Sequence, residues 1–563
     1  MTPDQTTAQS DRADPAPLRP VSYVDVTEES GLYFLHVNGA TGRKYFPETM
    51  GTGAAFFDFD GDGDLDLYLV NGAPLPGYEP TYTPVNQLYH NNGDGTFGIA
   101  DITAGARDAG YGMGCAVGDI DNDGDRDLFV TNYGPDAFYR NGGGLFEEAT
   151  AAAGLVDSSW GSSVAFLDYD VDGDLDLYVA NYVHYELGFA ERLDLVPYVG
   201  ASTVEIGEAL KTYQHPRNFP GAEDRLWRNE GDGTFADVTR SAGLVDTVDT
   251  AGRGLGVVAA DLDDNGWPDL YVANDAVPNF LYVNNRDGTF RETGARSGVA
   301  VGADGQWEAG MGVDAGDFDG DGRFDLVVTN FEQEPVSLYR NTPGGFFPHV
   351  SDAAGLGLIT LRDLSFGIGF LDYDNDGYQD LFVASGHVLD NIDQLDRSTS
   401  WAQQNMLLRN QGPDQGWRFS NVSNSTGPGL QLVHPSRGAA FADYDDDGDV
   451  DILVTNSGGR PNLLRNDGGN AGNWLAVRAL GRHGRDAVGA RIAVSYGGRE
   501  ILREVRAGYS YLCHSDLRLH FGLDTATVAD LRIYWPGGAE ELVTGIQANQ
   551  TIVVEEASGR PER

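Results

Sequence analysis

Short runs of alternating apolar and polar side chains recur along the chain, bounded by Gly, Asn or Asp. The clearest are LDLYLVN (65–71), RDLFVTN (126–132), LDLYVAN (175–181), PDLYVAN (268–274), FDLVVTN (324–330), QDLFVAS (379–385) and VDILVTN (450–456). Period-two alternation with β-branched and aromatic residues predicts strands. Each run follows a small, Gly-rich apolar segment such as GTGAAFF (51–57) or FGIGFL (366–371). A third segment comes next, as in NQLYHNN (86–92), NFLYVNN (279–285) and VSLYRN (336–341). A turn such as GDGT (93–96, 231–234) then leads to a fourth, as in FADVT (235–239). Four strands repeated seven times predict an all-β fold, a seven-bladed β-propeller.

The seventh copy stops after its third segment, PNLLRN (461–466). The missing fourth strand is expected from the other end of the chain, where VSYVDVT (21–27) matches FADVT. Pairing the two would remove two free edges and close the ring. The expected organisation is a disordered leader (1–20), a propeller (21–468) with an insertion near 182–224, a second β unit (472–557) and a tail (558–563). In the second unit, ARIAVSY (490–496) and ADLRIYW (529–535) alternate in the manner of a small antiparallel sandwich. It has many Arg, no Lys and no acid loop, so it can pack on an acidic ring or dock a partner.

Between the first and second strands of every copy lies the pattern Asp-x-Asp-x-(Asp/Asn)-Gly-x-x-Asp. Position 1 is Asp58, Asp119, Asp168, Asp261, Asp317, Asp372 and Asp443; position 3 is Asp60, Asp121, Asp170, Asp263, Asp319, Asp374 and Asp445. Position 5 is Asp62, Asp123, Asp172, Asn265, Asp321, Asp376 and Asp447. Position 7 is Asp64, Asp125, Asp174, Trp267, Arg323, Tyr378 and Asp449, and position 9 is Asp66, Asp127, Asp176, Asp269, Asp325, Asp380 and Asp451. Carboxylates this close repel one another when ionised, and a hard cation removes that cost. Ca²⁺ takes about six to eight oxygens in flexible geometry, whereas Mg²⁺ demands a strict octahedron. The expectation is up to seven structural Ca²⁺, held by side chains at positions 1, 3, 5 and 9 and the carbonyl at position 7. The fourth and fifth sites, carrying Asn265 with Trp267 and Arg323, are expected to bind more weakly.

These loops account for much of the charge. Asp and Glu total 86 against 37 Lys and Arg, a formal net of −49. So acidic a surface argues against nucleic acid as a partner, and no apolar stretch is long enough for a membrane span. Two cysteines, Cys115 and Cys513, exclude a disulfide scaffold. Residues 1–20 lack the apolar core of a secretory signal.

The seven loops with their flanking strands resemble the FG-GAP (VCBS) repeat family of integrin-α-like propellers. NWLAVRALG (473–481), DAVGARI (486–492), LHFGL (519–523) and IYWPGG (533–538) resemble the ASPIC/UnbV domain. Together they resemble the cartilage acidic protein group. The resemblance implies calcium-loaded blades and a secreted or periplasmic, matrix- or adhesion-like role; the absence of a signal in the chain keeps a cytoplasmic location open. It implies no reaction.

Function is expected on the face opposite the acid loops, where long connections gather His184, Tyr185, Tyr213, His215, Arg217, Glu332, His387 and Asp390. Three readings compete. One is a scaffold that binds a small molecule, glycan or protein there. Another is an enzyme (cyclase, lyase or hydrolase) with His184, His215 or His387 as acid or base. The third is a purely structural assembly protein that makes its contacts through the C-terminal unit. Trp160, Trp307 and Trp401 are expected to pack blades.

Overall fold

The computed structural model describes residues 20–188, 212–244, 252–482 and 484–557. Most of the leader, the centre of the insertion (189–211) and the tail lie outside these. Seven antiparallel sheets follow one another along the chain. Blade one shows the pattern: Ala54–Phe57, Asp66–Leu69, Gln87–Asn91 and Phe97–Ile99, hydrogen-bonded in that order. The innermost strands of the other blades are Gly112–Gly118, Gly161–Leu167, Gly254–Ala260, Val313–Gly316, Ser365–Leu371 and Ser436–Ala442. Each packs against the next and the seventh against the first, so the sheets close into a ring. In blade seven the outer strand is Ser22–Asp25, paired antiparallel with Asn462–Asp467. Blade five departs from four strands. Its sheet has three, and a single bridge between Tyr339 and His349 stands where the fourth would be.

The Gly-rich inner runs have a packing reason. A Cβ on Gly256 would lie 2.1 Å from the Met311 carbonyl oxygen, and one on Gly312 2.1 Å from that of Phe366. Inner strands of adjacent blades therefore meet backbone to backbone. Hydroxyls tie them there: Thr329 Oγ1 donates to Phe366 O at 2.6 Å, and Ser162 Oγ to Gly254 O at 2.7 Å. Each pair of neighbouring blades buries apolar side chains between its faces, such as Leu270, Val272 and Tyr282 with Leu167, Tyr178 and Leu226.

The C-terminal unit is a two-sheet sandwich. Asn473–Leu480 lies between Leu519–Asp524 and Gln550–Glu555, antiparallel to the first and parallel to the second. The facing sheet runs Arg499–Glu504, Arg491–Tyr496, Val528–Tyr534, Glu540–Gln547. Its core continues without a break into blades two and three.

Candidate metal centres

The acid loops share one geometry. The position-1 carboxylate takes the N–H of the glycine at position 6 in all seven, at 2.8 Å in Asp261–Gly266 and Asp372–Gly377 and up to 3.2 Å in Asp58–Gly63. The position-5 side chain accepts the N–H of position 7, including Asn265 from Trp267 at 2.9 Å. Position 4 is left-handed in every loop: Gly61, Asn122, Val171, Asp264, Gly320, Asn375 and Asp446. Val171 at φ +56° is costly for a β-branched residue. That position carries a sequence signature of its own, a preponderance of Gly, Asn and Asp.

The position-9 aspartates do double duty. Asp66 is fully buried and accepts from Phe59 N–H and Asn91 N–H at 2.9 and 2.8 Å. Asp127, Asp176, Asp269, Asp325, Asp380 and Asp451 make the same pair of bonds in their blades. Each thereby joins the loop to the third strand. The asparagine that ends the third strand reaches back to the preceding blade. Asn91 donates to Tyr444 O, Asn141 to Phe59 O, Asn229 to Ile120 O and Asn284 to Tyr169 O. Asn341, Asn410 and Asn466 continue the series to Leu262, Phe318 and Tyr373. The recurrent Asn was visible in the sequence, but its partner belongs to another repeat.

Carboxylates of positions 1, 3 and 9 converge. Asp58, Asp60 and Asp66 bring one oxygen each within 4.8 Å of one another, as do Asp119, Asp121 and Asp127; Asp168, Asp170 and Asp176; and Asp261, Asp263 and Asp269. Burial, with the neighbouring carboxylates adding to it, raises the proton affinity of several of the loop aspartates. Asp66 and Asp127 are pushed up to about 8, Asp317 and Asp443 to about 7, Asp119 and Asp168 to about 6. Several oxygens stay buried without a hydrogen-bond partner: Oδ1 of Asp170, Asp319, Asp445 and Asp449. Clustered, desolvated, unpartnered oxygen donors fit a hard divalent cation.

The loops are not equivalent. The side chain before the stapling asparagine points at position 3: Arg140 to Asp121 at 3.3 Å, Arg340 to Asp319 at 2.5 Å and Arg409 to Asp374 at 3.4 Å. Blade one has His90 there, 3.2 Å from Asp60, and blade four has Val283. Arg323 folds onto Asp321 of its own loop. In blade four a cation arrives from the other domain instead, Arg491, 3.0 Å from both Asp261 and Asp264.

That contact belongs to a general one. The C-terminal unit lies on the acid-loop face, and its arginines meet the loops. Arg518 donates to Asp443 O and Asp446, Arg499 to Asp376 O, and Arg485 lies 3.9 Å from Asp168. Arg506 pairs with the buried Asp314 at 3.1 Å. From this unit the segment Val505–Arg518 enters the central channel. Ala507, Leu512 and His514 accept, through their carbonyls, the N–H groups of Phe166, Cys115 and Phe56. Ser510 exchanges two backbone bonds with Val313, and Leu512 N–H reaches Ser163 Oγ. A Cβ on Gly53 would sit 2.0 Å from Leu512 O, so the inner glycines also make room for this plug.

The opposite mouth is filled too. Phe46, on the segment between blade seven and blade one, packs among Trp160, Tyr182, Tyr185 and Phe219. Tyr213 is buried and donates to Glu48 at 2.7 Å, and Lys44 pairs with Asp390. The aromatic side chains here pack together in the described part of the mouth. His387 is fully buried, with Nδ1 accepting Leu389 N–H. Burial lowers His215 to about 4, and its Nδ1 accepts Arg217 N–H at 3.1 Å. His184 is exposed. The three histidines differ in exposure, from the fully buried His387 to the exposed His184. Trp160 is buried and Trp401 packs against the same cluster, but Trp307 is half exposed beneath Arg217. Cys115 and Cys513 are free and buried.

Comparison with known proteins agrees with this architecture. The FG-GAP-like repeat matches residues 58–130, 119–179, 218–272, 261–328 and 317–383, and the ASPIC and UnbV family matches 481–561. Cartilage acidic protein 1 of Mus musculus is 29% identical over 308 residues, covering 54% of this chain and 44% of its own length. That of Homo sapiens is 28% identical over 318 residues, covering 54% and 43%. The match thus spans less than half of those relatives. Among solved structures, an Agrocybe aegerita lectin that recognises non-reducing terminal N-acetylglucosamine aligns over 72% of this chain and 86% of its own, at 17% identity and TM-score 0.39. YCF48 bound to D1 peptide aligns over 82% and 100%, at 9% and 0.38. With its repeats matched across half its length and a second match at its end, the chain belongs to the FG-GAP-like repeat family and carries an ASPIC and UnbV domain.

Proposed function

We propose that this protein is a calcium-stabilised scaffold of ligand-binding or adhesion type, placed outside the cytosol. Its working surface is the loop face opposite the acid loops. The observation that carries the metal assignment is the set of buried, unpartnered Asp oxygens inside loops whose carboxylates already repel one another. Positions 1, 3, 5 and 9 and the position-7 carbonyl would hold Ca²⁺. The ion supplies charge neutralisation, which lets the first and second strands of each blade meet at neutral pH. Relatives named for cartilage support an extracellular setting. The acid face is covered by the C-terminal unit, which leaves the loop face, with the half-exposed Trp307 and the exposed Arg217, for a partner.

Metal analysis and melting test this together. Protein purified in calcium is expected to carry several Ca²⁺ per chain and to melt lower after EDTA, with recovery on adding Ca²⁺, by mass action. Fewer than one ion per chain and an unchanged melt would reject the metal assignment. Trp307→Ala is expected to weaken capture of the native ligand at least about tenfold without changing the melt.

A further inference from the structure

Building on the reading of the acid loops as cation sites, we infer that the first of them takes a transition-metal dication of the Zn²⁺ kind, with His90 as a nitrogen ligand, where the others take Ca²⁺. The residue before the stapling asparagine is arginine in blades two, three, five, six and seven (Arg140, Arg228, Arg340, Arg409 and Arg465) and Val283 in blade four; blade one alone has a histidine there. A guanidinium carries only N–H donors, so an arginine at this place can neutralise the position-3 carboxylate but cannot bind a metal ion. A neutral imidazole offers a lone pair on one ring nitrogen. The histidine therefore changes what the first loop can hold, not only how strongly the loop is neutralised.

The placement of the ring agrees with a ligand. His90 sits on the third strand, Gln87–Asn91, beside the loop. Its Nδ1 lies 3.2 Å from Asp60 Oδ2 and 3.4 Å from Asp66 Oδ1, and its Nε2 4.0 Å from Asp62 Oδ2. Nδ1 is buried and has no hydrogen-bond partner, although two carboxylates stand that close. Donors about 2.1 Å from a shared ion stand about 3.0 Å apart at octahedral angles and about 3.4 Å apart at tetrahedral ones, so the observed spacings suit a common coordination shell. Asp60, Asp62 and His90 bring one donor atom each within 4.8 Å of one another, as Asp58, Asp60 and Asp66 do, and Asp60 belongs to both groups. Asp66 is fixed by its two backbone bonds, and Phe59 stands edge to face with the imidazole, ring centroids 6.2 Å apart. Ca²⁺ takes oxygen ligands, whereas an imidazole among carboxylates suits Zn²⁺ and its neighbours in the first transition row.

The test is the metal content of the untagged full chain, equilibrated with excess Ca²⁺ and one equivalent of Zn²⁺ and freed of loose metal by gel filtration in Ca²⁺. One Zn²⁺ per chain is expected to stay, with Ca²⁺ at other loops. His90→Arg gives blade one the residue that most blades carry at this place, so it should melt like the parent in Ca²⁺. It should bind Zn²⁺ at least about tenfold more weakly by calorimetry, and the visible d–d band of Co²⁺, added as a probe, should be lost in it. Zn²⁺ washed out of the parent by Ca²⁺, or held equally by His90→Arg, would overturn the assignment. Ca²⁺ at every loop without Zn²⁺ would reject this site alone, whereas Zn²⁺ held through His90 by a chain that binds no Ca²⁺ would uphold it and reject the calcium reading.

Discussion

A single asparagine per blade carries more of the ring than its size suggests. Asn410 donates to Phe318 O at 2.9 Å in the preceding blade and to Gln379 O at 3.1 Å in its own, and it accepts from Gly412 N–H. Alanine there removes both donors and strands buried carbonyls, so Asn410→Ala should cost about 2–4 kcal/mol in urea unfolding. Aspartate, which cannot donate when ionised, should be no better. Buried histidines set the acid limit. Burial lowers His514 and His36 to about 3, from an ordinary value of 6.5, and the nearby Arg126 and Arg437 reinforce this. Both stay neutral in the folded chain while the unfolded chain takes up protons below pH 6.5. Their contribution is therefore complete above pH 6.5 and is lost as pH falls towards 3. By pH 5 the loss is about 2 kcal/mol per histidine. A His514→Asn variant should approach wild-type stability as the pH is lowered; a constant gap between the two melts would contradict this account.

At the scale of elements, the plug is the unexpected part. Val505–Arg518 joins two strands of the sandwich, Arg499–Glu504 and Leu519–Asp524, a kind of connection that ordinarily runs over the surface. Instead its backbone bonds reach the inner strands of blades one, two, three and five, and its Ser510 and Ser515 side chains those of blades six and seven. Replacing Ala507–His514 by a Gly/Ser segment of equal length should destabilise the chain by at least about 3 kcal/mol. It should also uncover Cys115, whose N–H now bonds Leu512 O. A thiol reagent should leave the native protein unlabelled and label the replacement once; a silent Cys115 in that variant would show that the channel closes by other means.

For the whole molecule, closure depends on both ends of the propeller. Ser22–Asp25 covers the outer edge of blade seven, and Tyr23 within it is fully buried, with its hydroxyl bonded to Val450 O at 2.9 Å. Deleting residues 21–27 should lower the melting temperature sharply and expose a sheet edge prone to self-association. A deletion variant that melts like the parent would mean the ring closes without it. The charge follows the same large-scale logic. A propeller rich in aspartate meets a lid whose cations are arginines, and the pattern reverses where Arg126 of the propeller pairs with Asp486 of the lid, a carboxylate that Arg478 of the lid also holds.

The repeat, the strands, their number per blade and the acid loops were legible in the chain because each rests on neighbours within about ten residues: alternation, turn residues, ligand spacing. Blade five lost its fourth strand for a reason of the same local kind, since in FPHVS (347–351) Pro348 stands where FADVT (235–239) has Ala236 and has no N–H to give to the third strand. What pairs with what over hundreds of residues was not legible. The bond from Asn91 to Tyr444, the seat of Arg491 beside Asp261, the plug in the channel and the burial of His387 all join distant segments. Side-chain type announces that a partner is needed; only the closed ring, which brings those segments within bonding distance, decides which partner it is.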